Sequence, residues 1–195
     1  MGSAPAELSA RQSHSTSANI THLFLPRSDT GDELVYDYVN IMTEYVAIVS
    51  ALAKGGAFLD WQDENGNTSL HLAACFHHVN TSKILLQAGA DKNLRDYHGA
   101  SPSHVAALTG CEAIVVGLIE AGADLEPRMV GDYFPLHVAA MKNRVNVSSV
   151  QLDAGGTTEH RDAFHGRTPL SWACKACLAP IVRVLVEAGA DIEPR

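Results

Sequence analysis

Apolar residues recur along the chain at helical spacing, in pairs of short runs that are separated by polar turns. Residues 65–93 show the unit clearly: an apolar run around Leu70 is followed by a polar break at His77 and His78, and then by a second apolar run that ends at Gly89. Apolar side chains three or four positions apart form one face of an α-helix. The pattern therefore predicts two short helices per unit, joined by a tight turn.

The unit repeats at a constant period. Three kinds of position are each spaced by 33 residues: Gly66 and Gly99; His71, His104 and His137; Gly89, Gly122 and Gly155. A constant period of about 20–50 residues is typical of a solenoid, in which stacked units together bury a core that no single unit could bury. We therefore predict an all-α solenoid of stacked helix-turn-helix units.

Short motifs mark the start of each first helix and the end of most second helices. The starts are Thr-Ser-Leu-His at 68–71, Ser-Pro-Ser-His at 101–104, Phe-Pro-Leu-His at 134–137 and Thr-Pro-Leu-Ser at 168–171. The sequence Ala-Gly-Ala-Asp follows the second helices at 88–91, 121–124 and 188–191. These motifs and their period resemble the ankyrin-repeat family over residues 56–195, and more weakly over 32–56.

The resemblance implies an ankyrin-repeat solenoid with projecting hairpin-like turns and a non-catalytic role in binding another protein. It also implies that the imidazoles of His71, His104 and His137 bond to the backbone of neighbouring turns. Asn93 is the only asparagine at its repeat-end position, and the resemblance makes it a candidate for hydroxylation. Two narrower roles remain open: an inhibitor of a transcription factor or other regulator, and a targeting or scaffold fragment of a longer enzyme or channel.

The chain divides into a tail, a cap and an array. Residues 1–31 are rich in Ser, Ala and Thr and lack helical periodicity, which predicts a disordered N-terminal tail. Residues 32–59 are in register with the array but lack the first-helix motif, as expected of a degenerate capping repeat. The repeats themselves are assigned to 60–92, 93–125, 126–158 and 159–195. The last helix pattern lacks a polar outer face, so we expect further repeats, a partner or self-association to cover it.

Repeats three and four depart from the common pattern. Gln151 occupies a position that is Leu in the other repeats, and Phe134 replaces the Thr or Ser that begins the other first helices. Because the loss of a buried Leu costs about 2–5 kcal/mol, we predict that repeat three is the least stable layer. One residue is inserted between Gly155 and Pro169, and we expect it in the loop around Phe164.

The charge and the cysteines restrict the partners and the compartment. The formal net charge is −8, and residues 1–128 carry 15 acidic and 7 basic side chains. An acidic surface repels phosphate backbones, so nucleic acid is not expected as a direct partner. No apolar run approaches the roughly 18 residues that span a bilayer, so membrane insertion is not expected. Four cysteines without a secretion signal favour a reducing cytoplasmic or nuclear location. An organellar leader in the tail is the alternative.

The sequence offers no recognisable catalytic or cofactor motif. It lacks a Gly-rich phosphate loop, a nucleophile elbow and the His-Glu-x-x-His pattern. Cys174 and Cys177 form a Cys-x-x-Cys pair, but a structural zinc requires about four ligands and the sequence places no second pair near them. We therefore expect neither enzyme activity nor a metal or cofactor.

The turns and the exposed sides of the first helices are the positions that the repeat pattern leaves undetermined. The resemblance places them on one concave surface, with one aromatic per turn at Trp61, Tyr97, Tyr133 and Phe164. Trp, Tyr and Arg dominate protein interfaces because they bury much area at little entropic cost. The alternative is that these aromatics only pack between neighbouring turns. The predicted partner-binding residues are Trp61, Gln62, Glu64, Asn65, Asn67, Leu94, Tyr97, His98, Ala100, Arg128, Met129, Val130, Tyr133, Arg161, Phe164, His165 and Arg167.

Overall fold

The computed structural model describes residues 46–192. Residues 46–54 are helical and form α1. Four helix pairs follow: α2 (Ser69–Cys75) and α3 (Val79–Gln87), α4 (Pro102–Thr109) and α5 (Glu112–Glu120), α6 (Pro135–Met141) and α7 (Val145–Asp153), α8 (Pro169–Lys175) and α9 (Ala179–Glu187). The predicted tail at 1–31, the first part of the predicted capping repeat at 32–45, and residues 193–195 lie outside the described residues.

The helix pairs stack in two rows. Each helix of the four pairs packs against its partner within the pair and against the equivalent helix of the neighbouring pair. The first helices α2, α4, α6 and α8 form one row, and the second helices α3, α5, α7 and α9 form the other. Contacts of this kind, between sequence-adjacent units, define a solenoid. The predicted all-α solenoid is therefore confirmed.

The first helices begin as the sequence predicts but end at an unusual conformation. Pro102, Pro135 and Pro169 each occupy the first helical turn, where the missing N–H of proline costs nothing. After the helix, Gly110 of repeat two adopts a left-handed conformation with φ of 83°. The equivalent residues of the other repeats are not glycine: His77, Asn143 and Cys177, with φ of 59°, 55° and 54°. A left-handed non-glycine residue costs of order 1–3 kcal/mol.

Alanines allow the first helices to approach closely. A pair of alanines in each of the first three of these helices is fully buried at 0% exposure: Ala73 and Ala74, Ala106 and Ala107, Ala139 and Ala140. The second helices contribute larger side chains to the same core, among them Leu85, Leu118 and Leu185 at 2% exposure or less. Small side chains in one row and large ones in the other fill the layers without steric conflict.

The apolar core divides within repeat three. One cluster extends from Val49 in α1 to Val147 in α7, and a second joins Leu136 and Ala140 to the last helix pair. At the division, Gln151 is 6% exposed and its Oε1 has no hydrogen-bond partner within residues 46–192. In the same part of the chain the hydroxyl of Ser148, one turn earlier in α7, is fully buried and also lacks a partner. Unsatisfied buried polar atoms each cost about 1–3 kcal/mol, which supports the predicted weakness of this layer.

Phe134 replaces a capping hydroxyl with ring stacking. Its phenyl ring cannot accept a hydrogen bond from the first turn of α6, and instead lies 4.0 Å from the His160 ring at an interplanar angle of 7°. Phe134 is 4% exposed, and the Arg128 guanidinium lies 5.5 Å from its ring centroid. Repeat three therefore gains apolar contact at the position where the other repeats place a polar cap.

Candidate functional site

The loops that precede the first helices form one continuous row of turns. Backbone hydrogen bonds join neighbouring turns: Tyr97 N–H to Asn65 O at 3.0 Å, Val130 N–H to His98 O at 3.0 Å, and Ala163 N–H to Gly131 O at 2.8 Å. These bonds satisfy polar backbone groups that a projecting loop would otherwise leave to water. The backbone hydrogen bonds therefore hold the turns in a fixed position relative to one another.

An aspartate closes each of the first two turns. Asp63 Oδ1 accepts hydrogen bonds from the N–H groups of Asn65 at 2.9 Å and Asn67 at 2.8 Å. Burial opposes ionisation of Asp63, but these hydrogen bonds outweigh it and hold its pKa below the ordinary value. Asp96 makes the equivalent pair of bonds in the second turn. Both aspartates therefore have a structural role, which is to hold the backbone of their turns.

The third turn is closed by its backbone alone. Met129 occupies the aspartate position, and its N–H donates to Tyr133 O at 3.0 Å in a single antiparallel bridge. Gly131 and Asp132 between them have φ of 86° and 55°. Asp132 N–H donates to Met129 O at 3.0 Å, as Gly66 N–H does to Asp63 O and Gly99 N–H does to Asp96 O in the first two turns. The third turn therefore keeps the backbone bonds of the first two and lacks only the bonds to an aspartate side chain.

The fourth turn contains the inserted residue. Its closing bond runs from Asp162 N–H to Arg167 O at 2.9 Å and so spans one residue more than the closing bond from Asp63 to Asn67. Asp162 is 2% exposed, and its Oδ1 accepts hydrogen bonds from the N–H groups of Phe164 and His165 at 3.0 and 2.7 Å. The insertion lies where the sequence predicts.

Asp162 also connects this turn to α8. Its Oδ2 accepts from Arg167 N–H at 3.0 Å and from Trp172 Nε1–H at 2.9 Å. Burial opposes ionisation of Asp162, but the hydrogen bonds from His165, Trp172 and Arg167 outweigh it and keep its pKa below the ordinary value. The buried carboxylate therefore fixes both the turn and the indole of Trp172.

Three buried histidines tie the row of turns to the first helices, as the resemblance implies. Their Nε2 atoms donate to the carbonyl of the following turn: His71 to Ala100 at 3.0 Å, His104 to Tyr133 at 3.0 Å, His137 to Arg167 at 3.1 Å. Their Nδ1 atoms accept backbone N–H bonds, which sets the Nε2–H tautomer. Burial lowers the pKa of all three imidazoles, that of His104 to about 4. They are therefore neutral structural groups at pH 7.

A second ladder joins the repeat ends. One side-chain oxygen per repeat accepts the N–H one repeat further on: Asp60 from Asp91 at 2.8 Å, Asn93 from Asp124 at 2.9 Å, Glu126 from Thr157 at 2.7 Å, Glu159 from Asp191 at 2.9 Å. The shared requirement is an acceptor oxygen, which explains why Asp, Asn and Glu alternate there. Asn93 is exposed, and its hydroxylation stays a prediction.

The predicted partner-binding residues separate into two groups. The exposed ones are Trp61, Glu64, Asn65, Tyr97, His98, Arg128, Val130, Arg161, Phe164 and His165. Those that are half-buried are Gln62, Asn67, Leu94, Met129, Tyr133 and Arg167. Gln62 Nε2 donates to Gly66 O and to Arg95 O of the next repeat, and Met129 packs against the core. Ala100 is buried at 7% exposure and does not belong to the exposed surface.

The four predicted aromatics do not occupy one register. Trp61 precedes the first turn by two residues, whereas Tyr97 directly follows Asp96 and Tyr133 lies at the end of its turn. Tyr133 and Phe164 do come together, with ring centroids 6.2 Å apart. Of the four predicted aromatics, the structure therefore brings two into contact, and they form an aromatic cluster at repeats three and four.

Trp172 completes this cluster, and the sequence interpretation missed it. Its ring centroid lies 6.3 Å from that of Tyr133 and 5.3 Å from that of His165. Arg167 Cζ and Lys175 Nζ lie 4.9 and 5.0 Å from the indole centroid. The other repeats have the aliphatic residues Leu72, Val105 and Val138 at this position, which is the pattern of a buried core side chain. The usable signal was the replacement of an aliphatic residue by Trp, with Lys175 one helical turn later.

A groove on the second helices lies apart from the turns. A groove of about 450 Å³ lies between α3 and α5, lined by residues of the second helices such as Leu86, Val116 and Gly117. It is formed by the other row of helices and does not touch the turns. Within residues 46–192, no helix is long and apolar enough to cross a membrane.

Comparison with known proteins agrees with the geometry. The family model described as ankyrin repeats (3 copies) matches residues 41–129 and 104–195, which together cover most of the chain. No curated protein matches the chain. Proteins with these repeats generally act as protein-protein interaction modules and are typically non-catalytic. With the 33-residue stacked pairs, the histidine bridges and the row of turns, this match shows that the chain belongs to the ankyrin-repeat family.

Proposed function

We propose that the chain is a non-catalytic module that binds a partner protein through the row of turns and the adjoining exposed ends of the first helices. We call this region the turn surface; its exposed side chains are Trp61, Glu64, Asn65, Tyr97, His98, Arg128, Val130, Arg161, Phe164 and His165. The resemblance places the turn surface on the concave side of the array.

Large apolar side chains exposed on a hydrogen-bonded scaffold carry the proposal. Tyr97, Phe164, Val130 and Trp61 are 70%, 65%, 60% and 47% exposed, although each lies in or beside a turn that backbone bonds hold in place. Apolar groups gathered on such a surface mark sites of protein association. Because the turns are ordered beforehand, association loses less conformational entropy than it would with mobile loops.

The supporting contacts keep the side chains in position as well as the backbone. The Tyr97 ring lies against Gly66, where an added Cβ would be 2.7 Å from Tyr97 Cδ1. The Phe164 ring lies against Gly131 in the same way, and a Cβ added at Gly131 would overlap Phe164 Cε2. A glycine in one turn therefore provides the space for an aromatic of the next turn. Such ordered rings are suited to be anchors at an interface.

The test removes the two aromatics at the N-terminal end of the surface. We expect the double substitution Trp61→Ala and Tyr97→Ala to abolish partner capture in a pull-down while leaving the circular dichroism melting curve nearly unchanged, because both side chains are largely exposed.

A matched pair of exposed apolar residues on the second helices serves as the control. Val79 and Val186 are 38% and 37% exposed, and Val79→Ala with Val186→Ala should retain capture. Unchanged capture by the Trp61 and Tyr97 variant, together with loss by the valine variant, would move the binding surface to the second helices and refute the proposal.

A further inference from the structure

The C-terminal end of the turn surface has a chemistry that the rest of the surface lacks. Aromatic rings and cations converge there on one indole, with His165, Arg167 and Lys175 all in contact with Trp172. We call this group the Trp172 platform; it consists of Tyr133, Phe164, His165, Arg167, Trp172 and Lys175. Its constituents come from the third turn, the fourth turn and α8.

The platform holds two cations, Arg167 and Lys175, around one buried carboxylate, that of Asp162, and so has an excess of positive charge. Arg167 Cζ and Lys175 Nζ each lie about 5 Å from the same ring centroid. Within the described residues neither cation forms an ion pair, and the oxygens of Asp162 accept hydrogen bonds from the turn and from Trp172. Cation–π attraction favours the position of both cations over the indole.

Arg167 also has an unpaired hydrogen-bond donor. Its Nη1 is buried and has no hydrogen-bond partner among the described residues. A buried charged donor without an acceptor is costly, and a carboxylate is the acceptor that matches the planar guanidinium. Lys175 is exposed beside it. The buried Nη1 is itself out of reach of a ligand, but Arg167 as a whole is only half-buried. An incoming carboxylate can therefore pair with Lys175 and with the accessible part of Arg167 without displacing any bond that closes the turn.

Apolar contact is available next to these cations. Phe164 of the fourth turn is 65% exposed, and its ring lies against Gly131 of the third turn. Val130, which precedes Gly131, is 60% exposed. The first two turns carry Asp63, Glu64 and Asp96 against one cation, Arg95, whereas the third and fourth turns carry Asp132 and Asp162 against Arg128, Arg161 and Arg167. The turn surface is thus acidic at one end and cationic with apolar neighbours at the other. A negatively charged ligand is repelled from the first end and attracted to the second.

We infer that the Trp172 platform binds an acidic peptide segment of the partner protein, in which Asp or Glu side chains neighbour an apolar side chain. The carboxylates pair with Arg167 and Lys175, and the apolar side chain packs on Phe164. This inference rests on the proposed function, since it names the kind of partner that the turn surface accepts.

The test uses Trp172 as its own reporter. The chain has two tryptophans, so Trp61→Phe leaves Trp172 as the single indole. We expect a short synthetic peptide in which Asp and Glu alternate with Leu to change its fluorescence in a saturable way. Affinity should fall about fivefold or more between about 50 and about 300 mM NaCl, because charge pairs at a surface are screened.

Two exposed lysines provide a matched pair of variants. Lys175→Glu should weaken peptide binding about tenfold or more, because it replaces an attracting charge by a repelling one. Lys83→Glu makes the same charge change in α3, in the other row of helices, and should bind the peptide as the parent does. A peptide with Lys in place of Asp and Glu should not bind.

Several results would overturn the inference. These are no fluorescence change with the acidic peptide, equal affinity in the Lys175→Glu and Lys83→Glu variants, equally tight binding of inorganic phosphate alone, and self-association that the peptide does not inhibit in a concentration series by size-exclusion chromatography. The proposed function is separable from this outcome. If Trp61→Ala with Tyr97→Ala abolishes partner capture while the peptide fails to bind, the turn surface remains the binding site and only the acidic partner class is wrong.

Discussion

The first two repeats, residues 60–125, and the last two, residues 126–192, build the same layer in different ways. In the first two, Asp63 and Asp96 close the turns, and Thr68 or Ser101 pairs with the following histidine. In the last two, one turn is closed by backbone alone and the other is lengthened by one residue. The two halves nevertheless give the same stack of helices.

The comparison teaches that the stack tolerates the loss of side-chain bonds from a turn or a helix start. Met129 has no side-chain acceptor, so the third turn is closed only by backbone bonds of the kind that the first two turns also make. Phe134 has no hydroxyl, so its ring stacks on His160. Both replacements add to the interior: Phe134 is 4% exposed and Met129 packs against the core. The aromatic and cationic platform lies in the same irregular half, around Trp172.

The largest expected effect is a loss of stability when the aspartate of the fourth turn is removed, compared with the same change in the first turn. Asp162→Ala should lower the free energy of unfolding by about 3 kcal/mol, because it leaves the Trp172 Nε1–H and several backbone donors without an acceptor. Asp63→Ala in the more exposed first turn should cost only about 1 kcal/mol. Urea denaturation followed by circular dichroism measures both. Equal losses would show that the fourth turn is no more dependent on its aspartate than the first.

The next effect tests the weak layer. Gln151→Leu should raise the free energy of unfolding by about 2 kcal/mol, because it removes an unsatisfied amide oxygen and restores the apolar row of Leu85, Leu118 and Leu185. Leu118→Gln is the reciprocal control and should destabilise. Hydrogen exchange should show faster opening of α7 in the parent than in the Gln151→Leu variant. Equal protection of all repeats in the parent would remove the proposed difference between the two halves.

Because of the buried histidines, we expect the free energy of unfolding to fall in acid. Burial places the pKa of His104 at about 4 in the fold, below its value of about 6.5 in the unfolded chain. The unfolded chain thus binds the proton more readily, so stability is complete above about pH 6.5 and falls as the pH drops towards 4. The linkage amounts to about 2 kcal/mol by about pH 5.

Two variants check the origin of this acid loss. His104→Gln should flatten the dependence of the melting temperature on pH between about 6.5 and about 4, at a lower stability throughout. His98→Gln removes an exposed imidazole of the same repeat and should leave the acid loss unchanged. The same curve for parent and His104→Gln would mean that another group controls the acid response.

The smallest effect concerns the left-handed residues after the first helices. Cys177→Gly should stabilise by about 1 kcal/mol, because Cys177 is exposed and has φ of 54°. Asn143→Gly should gain less, because asparagine tolerates this conformation better than most residues. Thermal melts rank the two variants. A loss of stability in Cys177→Gly would mean that the thiol makes a contact worth more than the strain.

Part of the candidate site was readable from the sequence. The turn positions, the insertion near Phe164 and the exposure of Tyr97 were all predicted and are found in the structure. Trp172 was not, because its position is filled by aliphatic residues in the other repeats and its cations come from separate elements. Ring contacts such as that of Tyr133 with Trp172 join residues about one repeat apart, and their geometry depends on the length of the fourth turn.

The sequence by itself determined the period, the helix pairs and the order of the stack. Capping residues, prolines, glycines and apolar runs act over a few positions, and each layer contacts only its sequence neighbours, so local rules are sufficient. Only the tertiary structure decided which exposed side chains meet. Which side chains meet at repeats three and four depends on the hydrogen bond between Asp162 and Trp172, which fixes the fourth turn against α8. It therefore depends on distances between layers, which no local sequence pattern encodes.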